Sequence, residues 1–517
     1  MNLGQIARMM AGFAAFFTAA QLPPLAMALA EATSGPTNAV AGFTASILIG
    51  ATVTVLLWRA GRGGTGPVFR KEAIAVAGLS WLLAGLLGAI PLQWSGLLTN
   101  PIDAVFETVS GLTTTGGTVL GSGGNPAVAA TPPSLLLWRA LLQWIGGIGI
   151  VLVFVALLPA MGVTGKNLLT SESVAVGTDT YQPRAIEKAR LIGGLYVTLT
   201  ALCTVLLVAL GGLGWFDAIC HAFTALSTGG FSTRGSIADF DSLGGEIVLI
   251  VFMFLGGCSF AWVAVHWRSG WHCLPSLVRS GEFRLYALLT TLVVAACCVG
   301  LLYHGVPFGT ALRQASFNVV SVVTSTGYAS ADFQAWPATP LLLLFGLMMV
   351  GGCSGSTAGG IKQVRLLVIL RLLAYTIRHF VRPKSVERIK LDDEVLPAAV
   401  ISSVLAVVLL WAMTIAIGAL LIALDGQVPF VGALTASASM VGNTGPAITL
   451  VDPASAQAVL GTTLTAAVPA GVANIGPIGD YGSLQNSTKT VMIAQMLFGR
   501  LELLTMMALF SPSFWRR

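Results

Sequence analysis

The chain has 517 residues, of which only 9% are charged and 55% are hydrophobic, and its formal net charge is +6. An average soluble domain carries about 25% charged residues. A chain this long and this poor in charge is therefore not a set of soluble domains. Its long apolar runs predict a multi-pass membrane protein.

The basic residues are unevenly distributed along the chain. Of the 27 Lys and Arg, 22 lie near the N-terminus, at the C-terminal pair, or in the segments 59–71, 166–190, 268–284 and 362–390. The segments 91–134 and 425–487 contain none. This asymmetry follows the positive-inside rule, so it predicts both termini in the cytoplasm and no nucleic-acid partner. The five remaining basic residues are Arg139, Arg234, Arg313, Lys489 and Arg500.

Apolar spans follow one another along the chain, each near the roughly 20 residues that cross a bilayer. They cover residues 4–30, 38–58, 72–92, 135–160, 188–212, 246–267, 285–304, 340–377, 396–424 and 488–510. No convincing signal-peptidase site follows the first span, which is predicted to be a retained helix. The span 340–377 is too long for one straight helix and is interrupted by glycines.

The order of these spans predicts an all-α polytopic membrane protein. Two N-terminal helices are followed by four units of helix, re-entrant pore loop and helix, which we expect to surround a pseudo-fourfold pore. The predicted divisions are 1–65 for the N-terminal region and 66–165, 166–275, 276–390 and 391–517 for units one to four.

One short phrase recurs in the middle of each unit. The four copies are Thr113-Thr114-Thr115-Gly116, Ser227-Thr228-Gly229, Thr324-Ser325-Thr326-Gly327 and Asn443-Thr444-Gly445, spaced 113, 98 and 118 residues apart. A short apolar stretch before each copy suits a helix through half of a bilayer. Non-helical backbone at membrane depth is tolerated where it lines a watery cavity. The recurrence predicts a ring of backbone carbonyls around a cation pore; the alternative is four ordinary outer loops.

Unit three contains a segment dominated by glycine. Gly351-Gly352-Cys353-Ser354-Gly355-Ser356-Thr357-Ala358-Gly359-Gly360, which we call the glycine loop, holds five glycines in ten residues. Clustered glycines disfavour a helix. A helix of about eleven residues before it descends about 16 Å, roughly half of the hydrocarbon thickness. The glycine loop is therefore expected near the midplane, beneath the four phrases. The alternative is tight helix packing through small residues.

One basic residue is expected at the same depth. Arg500 lies about twelve residues into the last apolar span, and a cation near the membrane midplane marks an ion path or a paired site. Glu502 is two positions away and faces another side of a helix, so it is a poor direct partner. We expect Arg500 to contact the glycine loop; the alternative is a purely structural pairing with a buried carboxylate or with carbonyls.

Nothing in the chain predicts an enzyme or an organic cofactor. The seven cysteines form no Cys-x-x-Cys, and the five histidines, including His221, His266 and His272, form no metal-spaced or triad-like set. Neither a Gly-x-Gly-x-x-Gly after a strand nor a Walker sequence is present. Nucleotide control would have to come from a partner.

The sequence resembles the Trk/Ktr/HKT superfamily of potassium transporters, and most closely its TrkH-type membrane subunit. Beyond the four phrases, the resemblance rests on three stretches of sequence. These are 142–150 (Leu-Gln-Trp-Ile-Gly-Gly-Ile-Gly-Ile), the glycine loop with Ile361-Lys362, and the ending Gly499-Arg500-Leu501-Glu502 with Pro512-Ser513-Phe514-Trp515. The two extra N-terminal helices match the TrkH branch.

The resemblance implies a potassium uptake pore in a bacterial inner membrane, a homodimer, and a cytoplasmic TrkA-type nucleotide-binding ring as partner. It implies a K⁺ selectivity filter with glycine, rather than the serine associated with sodium preference, at Gly116. The filter residues are Thr114, Thr115, Gly116, Ser227, Thr228, Gly229, Ser325, Thr326, Gly327, Asn443, Thr444 and Gly445. Gating is implied for Gly351, Gly352, Cys353, Ser354, Gly355, Ser356, Thr357, Ala358, Gly359, Gly360 and Arg500.

Unit four departs from the family pattern. A second similar phrase, Asn474-Ile475-Gly476-Pro477, lies between Gly445 and Arg500. We favour Gly445 as the fourth filter position, because a pore helix fits at about 430–441, whereas Gly476 would need one that contains Pro469. Residues 447–475 are then an insertion on the outer side.

Two other functions remain open at this point. One is the ion-binding membrane subunit of an ATP-driven potassium pump. The other is a secondary transporter, sodium-coupled or sodium-preferring, whose inverted repeats would place equivalent loops on opposite sides of the membrane. The charge asymmetry predicts all four phrases on one side.

Overall fold

The computed structural model of the chain describes residues 1–33, 38–64, 70–157, 181–260, 278–383, 388–391 and 394–515. Almost all regular structure in them is helical, which confirms the predicted all-α class. Within the described residues, seven helical segments are long and apolar enough to cross a membrane. Many of their large apolar side chains are exposed, Leu342 and Leu420 at 68% for example, as expected of helices that face lipid.

The N-terminal region holds three helical segments: α1 (Leu3–Ala19), α2 (Leu22–Ala32) and α3 (Ala39–Ala60). α1 and α2 form one membrane-length stretch, 3–32, with a short break at the start of α2. Pro23 and Pro24 occupy the first turn of α2, where a missing N–H costs no hydrogen bond. The two predicted N-terminal membrane helices are thus present.

Units one and two each contain a long helix, a short helix and a second apolar helix. Unit one comprises α4 (Arg70–Trp94), α5 (Pro101–Leu112) and α6 (Pro133–Leu157). Unit two comprises α7 (Tyr181–Ala209), α8 (Trp215–Leu226) and α9 (Leu243–Gly256). The sequence predicted a single span over 246–267, but α9 ends at Gly256, and 261–267 lie outside the described residues.

Unit three has the predicted interruption in its second helix. It comprises α10 (Gly281–Tyr303), α11 (Phe308–Val323), α12 (Ala338–Met349) and α13 (Gln363–Val381), with the glycine loop between α12 and α13. A two-stranded hairpin, β1 (Lys390–Leu391) and β2 (Glu394–Val395), leads into unit four. The predicted division at 390/391 falls inside this hairpin, and those at 65/66, 165/166 and 275/276 lie outside the described residues.

Unit four ends in a broken helix. It comprises α14 (Ala398–Ala423), α15 (Phe430–Gly442), α16 (Pro453–Val459), α17 (Asn486–Arg500), α18 (Leu503–Phe510) and α19 (Pro512–Trp515). The prediction of one continuous helix over 488–510 is wrong, because the backbone of Glu502 takes a positive φ of 60° and separates α17 from α18. α15 coincides with the pore helix expected at about 430–441.

Candidate functional site

Four segments share one unusual backbone conformation. Their first residues have left-handed φ values of 52° at Thr114, 54° at Thr228, 54° at Ser325 and 53° at Asn443. Residues other than glycine rarely adopt this conformation. The third residue of each segment is a glycine, also with positive φ: 82° at Gly116, 82° at Gly230, 81° at Gly327 and 98° at Gly445. We call 114–116, 228–230, 325–327 and 443–445 the ring segments.

One repeated hydrogen bond fixes the register of the ring segments. In each of them, the N–H of the middle residue donates to the carbonyl of a hydroxyl residue five positions earlier, in the short helix. The four bonds are Thr115 to Ser110 at 2.9 Å, Gly229 to Thr224 at 2.8 Å, Thr326 to Ser321 at 2.8 Å and Thr444 to Ser439 at 2.9 Å. Each short helix and the segment that follows it are therefore built alike.

This register corrects the prediction for unit two by one residue. The sequence phrase aligned Gly229 with Gly116, but the structural counterpart of Gly116 is Gly230. Gly229 stands where the other units have threonine, and Ser227 is the C-cap of α8 rather than the first residue of a ring segment. The recurring Thr-Gly dipeptide caused the error, because only in unit two does that glycine come one position early.

The ring segments touch one another in cyclic order. A Cβ placed on each third-position glycine would overlap the carbonyl oxygen of the middle residue in the next segment. These distances are 2.2 Å from Gly116 to Gly229, 1.9 Å from Gly230 to Thr326, 2.0 Å from Gly327 to Thr444 and 2.5 Å from Gly445 to Thr115. The fourth segment returns to the first, so the four form a closed ring. Only glycine fits its third position, for reasons of both φ and space.

The short helices α5, α8, α11 and α15 all end at this ring. Their C-caps are Thr113, Ser227, Thr324 and Asn443, and all four are fully buried. The C-terminal end of a helix carries a partial negative charge from its unpaired carbonyls. Four such ends converging on one ring create a negative potential that favours a cation.

Gly476 lies outside the ring. Together with Pro477 it lines a pocket that also reaches the ring glycines Gly116, Gly230 and Gly327. The side chain of Gln334 occupies the space next to Gly476, since a Cβ there would lie 2.0 Å from its Cδ atom. The geometry therefore places Gly445 in the ring, and Gly476 in the wall of the pocket beside it.

The glycine loop lies against the ring and the short helices that support it. The N–H of Gly359 donates to Ser325 Oγ at 2.5 Å, and a Cβ on Gly359 would lie 2.2 Å from the Gly442 carbonyl. Thr357 Oγ1 lies 3.0 Å from the Leu226 carbonyl and 3.2 Å from Thr228 Oγ1. The glycine loop thus contacts the ends of the short helices of units two, three and four.

Hydrogen bonds hold the ends of the glycine loop together. The N–H of Gly351 donates to the Ile361 carbonyl at 2.9 Å, and Gln363 Nε2 donates to the Gly351 carbonyl at 2.9 Å. The carboxylate of Glu282 accepts the N–H of Ser354 at 2.6 Å and that of Val364 at 3.2 Å. The segment is therefore a closed loop with a defined stem, which the clustering of glycines alone did not predict.

Arg500 meets the glycine loop, as the depth argument expected. Its guanidinium donates to the Thr357 carbonyl at 2.7 Å and to the Gly146 carbonyl of unit one at 3.2 Å. Its Nε atom is buried without a hydrogen-bond partner among the described residues. Glu502 instead accepts two hydrogen bonds from Arg365, both at 2.7 Å. Lys362, at the end of the same loop, donates to the Ala358 carbonyl.

Sequence reasoning missed the polar residues that surround the ring. Two buried ion pairs hold α5, the short helix that leads into the first ring segment: Arg139 with Glu107 at 2.7 Å and Lys489 with Asp103 at 2.6 Å. The Tyr481 hydroxyl donates to the Gly445 carbonyl at 2.7 Å. One available signal was the isolation of Arg139 and Lys489 from the basic segments, since a lone cation in an apolar region needs a buried partner.

The fold and the site define a class: a multi-pass membrane protein in which four helix–short helix–helix units close a backbone ring. The family described as TrkH, cation transport protein, matches residues 38–462, and the chain belongs to this family. It is 33% identical to the Trk system potassium uptake protein TrkH of Halomonas elongata, with all of both chains covered. The TrkH of Escherichia coli is 32% identical over 92% of each chain.

A solved structure agrees with the whole fold. The crystal structure of the potassium transporter TrkH from Vibrio parahaemolyticus matches with a TM-score of 0.85 at 28% sequence identity and covers 100% of both chains.

Proposed function

We propose that the chain is a potassium uptake conduit and not a catalyst. The closed ring is the observation that carries this proposal, because four buried segments with one backbone conformation are what coordination of a bare cation requires. The names of its relatives, which are potassium uptake proteins, support K⁺ as the transported ion.

Selection would take place in the ring. Backbone carbonyls of the four ring segments replace the hydration shell of K⁺, and the C-terminal ends of the four short helices add negative potential. An inside-negative membrane potential supplies about 2.3 kcal/mol per charge per 100 mV. No metal, nucleotide or other organic cofactor of this chain is needed for that step.

The glycine loop and Arg500 would form the gate. The loop lies against the ring ends, and the Arg500 guanidinium donates to its Thr357 carbonyl. A fixed positive charge there repels K⁺. Opening requires the loop to leave the ring, which breaks its hydrogen bonds to Leu226 and Ser325 and those of its backbone to Gly256 and Gly257 at the end of α9.

The conduit would lie in the inner membrane of a bacterium, with both termini in the cytoplasm and the ring toward the outer side. The basic segments and the two regions free of Lys and Arg support this orientation. The five-part division at 65/66, 165/166, 275/276 and 390/391 stays a prediction.

A homodimer with a cytoplasmic TrkA-type nucleotide-binding ring would be the regulated assembly. The basic stretch from Lys362 to Lys390 follows the glycine loop directly, and its helix α13 is exposed from Thr376 to its end. Arg365 pairs with Glu502 beside the glycine loop, and the exposed Arg378 and Arg382 lie further along the stretch, where a partner would dock. Of this stretch, 384–387 lie outside the described residues.

Liposome flux tests the proposed function. Purified protein in liposomes with a K⁺ gradient should pass K⁺ faster than Na⁺ under an equal gradient, and the flux should follow the imposed membrane potential without ATP. Equal K⁺ and Na⁺ fluxes, or a strict need for ATP, would overturn the proposal; the second result would favour a pump subunit.

A further inference from the structure

One ring segment lacks a side chain that its counterparts have. The middle residues of the ring segments are Thr115, Thr326 and Thr444 in units one, three and four, but Gly229 in unit two. The Gln143 side chain from α6 occupies the missing space: a Cβ on Gly229 would lie 2.4 Å from both its Cδ and its Oε1. A threonine at 229 and a glutamine at 143 cannot coexist in this arrangement.

Gln143 holds the backbone of unit two on both sides of Gly230. Its Nε2 donates to the Gly229 carbonyl at 2.6 Å, and its Oε1 accepts the N–H of Phe231 at 3.0 Å. Gly230, between them, has the positive φ of the ring glycines. A single fully buried amide therefore fixes the two peptide groups that flank a ring glycine.

Arg139 extends this contact by one helical turn. It lies four residues before Gln143 on the same face of α6. Its guanidinium donates to the Ser232 carbonyl at 3.3 Å and lies 4.1 Å from the centre of the Phe231 ring. The ion pair with Glu107 of α5 keeps it in place. Gln143 and Arg139 of unit one thus bind the backbone of unit two between Gly229 and Ser232.

In units two and four the corresponding residues are apolar. Gly146, Gly256 and Gly499 occupy matching positions, because each packs on the carbonyl of Leu112, Leu226 or Val441 near the end of its own short helix. Three residues before these glycines stand Gln143, Met253 and Met496, and all three are buried. Methionine has no N–H donor for a carbonyl, so units two and four have no counterpart of the amide contact that joins unit one to unit two.

We propose that Gln143 is a positioning residue for ion selectivity: its amide takes the place of the missing threonine side chain and sets the direction of the Gly229 carbonyl. This inference rests on the proposed function, because it assumes that the ring discriminates between cations. A carbonyl held by a hydrogen bond stays in one orientation, whereas a free one rotates toward the smaller Na⁺ more easily.

The test is the K⁺/Na⁺ flux ratio in liposomes for Gln143→Met, which carries the residue found in units two and four. We expect the ratio to fall about threefold to tenfold, the effect of one hydrogen bond, with normal purification. Gln495→Met is the matched control, since Gln495 is also a buried glutamine of a membrane helix but bonds to Ser437 and Thr414 instead of the ring. Its ratio should equal that of the wild type.

A rescue separates positioning from folding. Gly229→Thr alone should lower expression or the flux ratio, because its side chain meets Gln143. The double variant Gln143→Met/Gly229→Thr gives the ring a threonine in all four middle positions and removes the side chain that blocks it, and it should recover most of the ratio lost in Gln143→Met. The inference is overturned if the flux ratio is unchanged in Gln143→Met, or if Gln143→Met and Gln495→Met lose it equally. In either case a K⁺-selective wild type still supports the proposed function. A wild type without selectivity overturns the proposed function itself.

Discussion

The ring and the layer beneath it differ in symmetry. At the ring, all four units have the same backbone conformation, the same hydrogen bond and a glycine in the same place. Beneath it the units diverge: α6 is continuous through Leu157, α9 ends at Gly256, the glycine loop separates α12 from α13, and α17 ends at Arg500. Selection needs identical ligands around one axis, whereas a gate needs only one unit able to move.

The two layers also differ in how they neutralise charge. Four of the five basic residues that lie outside the basic segments have a carboxylate partner: Arg139, Arg234, Arg313 and Lys489 pair with Glu107, Asp217, Glu246 and Asp103. The fifth, Arg500, bonds only to carbonyls among the described residues. Its charge is therefore uncompensated there, which suits a barrier to cations.

The largest effect is expected from breaking a buried pair beside the ring. Glu107→Ala would leave Arg139 as an unpaired buried cation, at a cost of about 3–5 kcal/mol in the free energy of unfolding. Thermal unfolding in detergent measures it. Asp217→Ala is the control, because its partner Arg234 is 47% exposed and such pairs contribute about 0–1 kcal/mol. Equal shifts for both variants would contradict a special role for the buried pairs.

A substitution in the ring tests its role in selection. Gly116→Ser adds a Cβ that would overlap the Gly229 carbonyl. The positive φ of residue 116 adds a backbone strain of about 1–3 kcal/mol for a serine. We expect the K⁺/Na⁺ flux ratio to fall at least about fivefold. Gly124→Ser is matched in φ, at 85°, but has open space around it, and its ratio should not change.

Gly476→Ser separates the two possible fourth filter positions. The ring contains Gly445, so Gly445→Ser should lower the flux ratio as Gly116→Ser does. A serine at 476 meets the Gln334 side chain and should lower expression, but the folded fraction should keep a flux ratio near that of the wild type. A large loss of selectivity at Gly476 alone would reverse this assignment.

Substitutions that remove or keep the charge of Arg500 test whether the layer beneath the ring acts as a gate. Arg500→Ala removes the repulsion and should raise K⁺ flux about tenfold, the result of lowering the barrier by about 1.4 kcal/mol, with the K⁺/Na⁺ ratio unchanged. Arg500→Lys keeps the charge and should stay close to the wild type. If Arg500→Ala aggregates and its folded fraction shows no gain in flux, Arg500 is structural and the gating role is wrong.

The smallest effect is expected at the cytoplasmic face. Neutralising Arg382, Lys384 and Arg388 together should weaken pull-down of a TrkA-type partner severalfold, since exposed charge pairs contribute little each. Neutralising Arg8, Arg59 and Arg62 is the control. Retained binding with normal membrane insertion would mean that the charges of the first set serve only topology and lipid contact.

Much of this arrangement could be predicted from the sequence, because its signals are periodic or compositional. Membrane-length apolar runs, the recurring phrase and the clustered glycines indicated the helices, the ring segments of units one, three and four, and the position of the glycine loop. The helical rise alone predicts Arg500 and the glycine loop at one depth.

The rest depended on contacts between distant residues. The register of unit two depends on Gln143 filling the space beside Gly229, and nothing at 227–230 itself reveals that. The break after Arg500 follows from the left-handed backbone of Glu502, whose carboxylate binds Arg365 of another unit. Neither Leu501 nor Glu502, the two residues between the helices, is a glycine or a proline, so no local signal marks the break.

Deleting most of Gly351–Gly360 and measuring both cation fluxes in liposomes tests the separation of the two layers most directly. The K⁺ flux should rise while the K⁺/Na⁺ ratio stays at the wild-type value, because the ring keeps its four segments. A well-folded deletion variant whose ratio collapses would contradict the account, since selection would then depend on the glycine loop.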